Sequence, residues 1–87
     1  MLTANSWANA LHAATTPREK AVILLQRAQQ RQSKKLIEQD IAEAINHIPW
    51  FTISSVEHLL KYHSLPYTQA GLHEAARRFA ELIPTIK

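Results

Sequence analysis

The side chains able to do chemistry in this chain crowd into one stretch. From Lys20 to Lys35 the sequence holds Lys20, Arg27, Arg31, Lys34 and Lys35 and no acidic residue. Within it, Gln26 to Lys35 mixes long cations with amide and hydroxyl donors, the groups suited to phosphate oxygens and base edges. The competing expectation is a solvated helix corner with no ligand. The next block reverses the sign: Leu36 to Leu60 carries Glu38, Asp40, Glu43 and Glu57 and no lysine or arginine. A basic end and an acidic side are therefore expected. A formal net charge of +3 permits nucleic-acid binding without requiring it.

Catalytic chemistry is poorly supplied. The five histidines, His12, His47, His58, His63 and His73, include no pair spaced i,i+4, and there is no cysteine to join them as a metal ligand. Glu38 and Asp40 stand two apart and diverge on a helix, so they make no acid/base pair. No glycine-rich phosphate loop exists in a chain with one glycine. The expectation is a non-catalytic protein with no metal and no cofactor. Without cysteine the chain fits a reducing compartment. No basic stretch precedes an apolar segment near its start, and its longest aliphatic run is Ala21 to Leu25. A cytoplasmic protein with no membrane partner is expected.

The aromatics are the remaining candidates. Pro49-Trp50-Phe51 sits beside a helix break, where Trp50 and Phe51 either plug a small core or anchor another protein. Core burial is the expectation for a domain this small. Trp7, with Leu11 in a segment poor in charge, has the same two uses.

These residues must be positioned by helices, because one glycine, Gly71, is too few for the turns of a sheet protein. At 87 residues and 46% hydrophobic, the chain makes one domain with one core, of four or five short helices. The first is expected over Ala4 to Ala14. The second begins at Thr16-Pro17-Arg18-Glu19, with an N-cap, a proline at the first helical position and a capping-box glutamate. From Arg18 to Ile48 no proline or glycine interrupts, yet Ala21, Leu24, Leu25 and Ala28 lie nearly opposite Ile37, Ile41, Ala44, Ile45 and Ile48 at about 100° per residue. One straight helix cannot bury both stripes in one small core. A break is expected near Gln30 to Ser33, with Ser33 capping the third helix. The alternative is an unbroken helix in an intertwined dimer. Pro49 ends the third helix, and Ser54-Ser55-Val56-Glu57 offers a capping box for a fourth ending near His63. After a turn at Ser64 to Tyr67, Thr68 caps the fifth helix. Its stripe is Leu72, Ala75, Ala76, Phe79 and Ile83, and its outer face carries Glu74 with Arg78 and Arg77 with Glu81.

The third and fourth helices carry a resemblance. Asp40-Ile41-Ala42-Glu43-Ala44-Ile45-Asn46, a turn, and Thr52-Ile53-Ser54-Ser55-Val56 resemble the helix-turn-helix motif of bacterial repressors such as the lactose-repressor family, from about Glu38 to Leu59. Ile41, Ile45, Ile53 and Val56 would fill the space between the helices, and Ala42 would let them approach. The resemblance implies a nucleic-acid-binding regulator that meets duplex DNA. In it the helix from Thr52 to Lys61 brings Ser54, Ser55, His58 and Lys61 to a groove, and Arg27, Arg31, Lys34 and Lys35 hold phosphates. The rival is a protein-interaction module, an adaptor, antitoxin or inhibitor, that binds a protein through Trp7, Trp50, Phe51 and the acidic helix. A leftover apolar stripe would let two copies pair as a homodimer.

Overall fold

Hydroxyl side chains set most of the helix starts in this computed structural model, which describes residues 4–86. After α1 (Ala4–Ala13), Thr16 caps α2 (Pro17–Gln30), Ser33 caps α3 (Lys34–Asn46), Ser55 caps α4 (Val56–Tyr62) and Thr68 caps α5 (Gln69–Leu82). Each hydroxyl accepts a hydrogen bond from the backbone N–H three residues on, satisfying one of the helix's orphan donors. A 3-10 turn, Ile83–Thr85, follows α5. The protein is an all-α bundle, with no strand among the described residues. No described helix is long and apolar enough to cross a membrane.

The two opposed stripes meet one core because the chain breaks at residues 31–33. Arg31 turns extended, with φ −74° and ψ 146°, and α3 folds back onto α2. Ala21, Leu24, Leu25 and Ala28 then bury with Ile37, Ile41, Ala44 and Ile45, and α5 closes the core with Leu72, Ala75, Ala76 and Phe79. This is the broken arrangement and not the long helix of an intertwined dimer.

Three expectations need correction. The fourth helix starts at Val56, one residue later than a Ser54 cap gives and four later than the Thr52 start of the resembling motif, so nine residues, 47–55, separate α3 from α4. The cap is Ser55, and its third helical residue is His58 in place of Glu57. Within that loop Ile48 and Ile53 are buried, and Phe51 packs on Phe79 with ring centroids 6.3 Å apart. Three inward anchors fix the loop and leave Trp50 outside, 51% exposed, where core burial was expected. Trp7 is buried instead, on α1 where that helix lies against α2, which removes it from the exposed candidates.

The end of α4 carries a small cost. Leu65 N–H donates to the Leu60 carbonyl and Ser64 N–H to that of Lys61, a Schellman arrangement that puts Ser64 at φ 56°. A side chain in this left-handed region is disfavoured, and glycine is not. Ser64→Gly is therefore expected to raise stability by about 0.5 kcal/mol after the extra chain entropy of glycine, and Ser64→Val to lower it by more than about 1 kcal/mol. Urea midpoints of the two variants check the opposite signs.

Candidate functional site

Asp40 is the one charged residue buried among those described, 3% exposed. It occupies a position on the α3 core stripe, three residues after Ile37, and faces α2. There Arg27 donates to it through Nε at 3.2 Å and Nη2 at 2.8 Å, and Arg31 donates through Nε at 3.2 Å. Arg27 and Arg31 are four apart on one face of α2 and its end, which is why one carboxylate can hold both. The two cations expected on phosphate thus spend these donors on a carboxylate inside the fold. A buried acid must be paired, and in this chain these arginines pair it. Sequence reasoning missed Asp40 as a site residue; the available signal was an acid inside an otherwise apolar stripe.

Most of the other expected nucleic-acid contacts have a local neighbour within the fold. Lys34 places its Nζ 3.9 Å from the centroid of the Tyr67 ring. Lys35 is exposed with no ion pair among the described residues. The Ser55 hydroxyl caps α4, the Ser54 N–H donates to His58 Nδ1 at 3.4 Å, and Lys61 lies 3.8 Å from Glu57 on the same helix. Ile41, Ile45 and Ile53 are buried in the common core and Val56 is half-buried. Ala42, expected between the helices, is exposed and opens onto a cleft. It lies on the opposite side of α3 from the core stripe, so it cannot set the spacing to α4.

The exposed large apolar side chains are Trp50, Tyr62, Tyr67 and Leu36. Arg18 of α2 lies over the Trp50 ring, its guanidinium carbon 5.8 Å from the centroid. The same arginine lines, with Glu19 and Gln26, a groove of about 400 Å³ between α2 and the 3-10 turn whose other lining residues are Val22, Ile23, Ile83 and Pro84. Trp50 and this apolar groove therefore adjoin through Arg18.

On α5, Glu74 accepts from both Arg77 and Arg78, and Arg77 also reaches Glu81. The Arg77 hydrogen bond, then that of Arg78, pulls the Glu74 carboxyl down to about 2. These arginines are neutralised where they stand, as their spacing predicts. His73, one turn earlier, brings Nε2 within 2.6 Å of the Arg31 carbonyl and ties α5 to the α2–α3 corner. His63 carries an Nε2 without a hydrogen-bond partner. Burial, then the Arg78 charge, holds its imidazole below the ordinary 6.5, against an opposing pull from Glu74.

The sign follows from proton uptake. Below about pH 6.5 the unfolded chain binds the His63 proton while the fold still resists it, so stability falls as pH drops from that value towards the lower folded pKa. It is fully present above about 6.5. His63→Gln is expected to remove this part of the decline, read as a smaller difference in Tm between about pH 8 and about pH 5 than in the parent.

Among the described residues no group of three His, Cys, Asp or Glu side chains could hold a metal ion. No protein-family model, curated protein or solved structure matches this chain.

Proposed function

We propose that this chain is a non-catalytic protein-binding domain anchored by Trp50. The observation that carries this reading is an indole 51% exposed on a loop whose neighbours Ile48, Phe51 and Ile53 pack inward. An aromatic on an anchored loop loses little freedom when a partner covers it, which is the property of interface hot spots. The groove that Arg18 lines beside Glu19 enlarges the contact, and Arg18, over the Trp50 ring, supplies a positive charge next to the indole. The complementary partner presents apolar side chains and a carboxylate for Arg18. The cysteine-free composition fits a cytoplasmic setting.

The test is Trp50→Ala in two measurements. Thermal stability is expected to stay within about 0.5 kcal/mol of the parent, as for an exposed site. Partner capture in cross-linking and co-purification is expected to disappear, while a Lys35→Glu control retains it. A collapse in Tm, or undiminished capture, sinks the reading. Sedimentation of the parent alone shows whether the partner is a second copy.

A second reading, the nucleic-acid-binding regulator of helix-turn-helix type, is favoured by one observation: Lys34 and the exposed Tyr67 ring form a cation and stacking pair, with Lys35 next to it in sequence. Anisotropy of labelled duplex DNA separates the two. Affinity falling with salt at a log-log slope of about −0.9 per neutralised phosphate, and lost in Lys34→Glu/Lys35→Glu, supports it. No binding at low salt removes it.

A further inference from the structure

We infer that the cleft beside the Arg27–Asp40–Arg31 cluster binds a small zwitterion, a molecule with a carboxylate and an amine about one helical turn apart. The cleft measures about 410 Å³ and is lined by Arg27, Arg31, Gln39, Asp40, Glu43 and Asn46 among others. That volume lies in the range of small-molecule sites.

Its two guanidinium groups are held before any ligand arrives. Asp40 takes both Nε donors and Nη2 of Arg27, leaving Nη1 of Arg27 and both terminal nitrogens of Arg31 without a hydrogen bond among the described residues. The arginine side chains remain 22% and 33% exposed, and both line the cleft. Planar donors fixed by a buried carboxylate accept a second carboxylate with little further ordering. Arg27 and Arg31 therefore form the anionic subsite.

Glu43 sets the other end. It follows Asp40 by three residues and so shares its face of α3 one turn on. It is exposed and makes no ion pair among the described residues. Two arginines against Asp40 and Glu43 bring the cleft to formal neutrality, and Glu43, which also borders a neighbouring cleft with Lys20 and His47, stands one helical turn along α3 from the carboxylate that holds both arginines. A bare dianion meets the Glu43 charge, whereas an amine satisfies it. The amides of Gln39 and Asn46 can donate to the carboxylate or accept from the amine. This site is independent of the Trp50 surface, and Trp50→Ala is expected to bind the zwitterion as the parent does.

Nitrogen-15 NMR of the full chain, following the arginine Nε–H groups and the Ala42 amide, tests the inference with 4-aminobutyrate, butyrate and inorganic phosphate as probes. Saturable shifts with 4-aminobutyrate are expected, at an affinity about tenfold above those for butyrate and phosphate. Arg31→Gln is expected to weaken 4-aminobutyrate about tenfold, and Glu43→Gln to reduce it to the affinity of butyrate. Absence of saturable shifts up to the solubility of the probe overturns the inference. So does phosphate binding as tightly as 4-aminobutyrate, which describes a general anion patch, or a Glu43→Gln variant that still prefers the amine. Should Arg31→Gln unfold, Glu43→Gln, at an exposed position, still decides.

Discussion

Asp40→Ala is expected to lower stability by about 3 kcal/mol, because it leaves two guanidinium groups side by side with their shared acceptor gone. At the sensitivity typical of a domain this size, that corresponds to a fall in Tm of about 12 to 24 °C. The carboxylate is 3% exposed and accepts three hydrogen bonds, so neither salt nor water substitutes for it readily. The arginines, 22% and 33% exposed, recover part of their hydration, which keeps the effect below that of a fully enclosed pair. Asp40→Asn keeps the shape but turns an amide donor towards arginine donors and restores only part of the loss. Arg27→Ala is expected to cost more than Arg31→Ala, since Arg27 makes two of the three bonds and leaves the buried acid with one. Urea denaturation of the four variants reads these differences. A loss below about 0.5 kcal/mol for Asp40→Ala would place the cluster among ordinary surface pairs.

Gly71→Ala is expected to destabilise the protein by about 2 kcal/mol, although helix propensity alone predicts a gain of about 1 kcal/mol. Gly71 is the third residue of α5, and its N–H donates to the capping Thr68 hydroxyl at 3.0 Å. A Cβ placed there runs into the carbonyl oxygen of Pro66, far inside van der Waals contact, with the carbonyl carbon and the Thr68 hydroxyl close behind. The obstacle is backbone, so no rotamer change relieves it, and the start of α5 must separate from the Pro66 turn. Strain in φ is not the reason, because Gly71 does not have a positive φ. Larger side chains are expected to be worse, with Gly71→Val unfolding at lower urea than Gly71→Ala. A stabilised Gly71→Ala would show that the turn yields easily. The same packing explains how the only glycine is used: it lets a turn cross a helix start.

Much of the helical framework was legible because its causes are local. Thr16, Ser33 and Thr68 announce helix starts, since a hydroxyl before an amphipathic run can satisfy an N–H within its own turn. The break at residues 31–33 followed from two opposed stripes that one core cannot bury together. The buried face of α5 and its outer ion pairs followed from periodicity. The start of α4 was misplaced because Ser54 and Ser55 both offer a cap, and choosing between neighbours depends on how the preceding loop is anchored.

The candidate sites were less legible because they depend on neighbours distant in sequence. Lys20 to Lys35 reads as one basic tract, but Arg27 and Arg31 lie 13 and 9 residues from the carboxylate that holds them. Only the folding of α3 back onto α2 brings these groups together. Trp50 and Phe51 are adjacent and alike in hydrophobicity; the loop anchors turn one inward to Phe79 and the other out beside Arg18. The sequence by itself determined an all-α chain, its breaks and its buried stripes, because backbone capping and apolar periodicity act within a few residues. Tertiary structure alone decided which charges are spent within the fold and which aromatic is left exposed, because pairing a buried charge and orienting a loop are settled between elements.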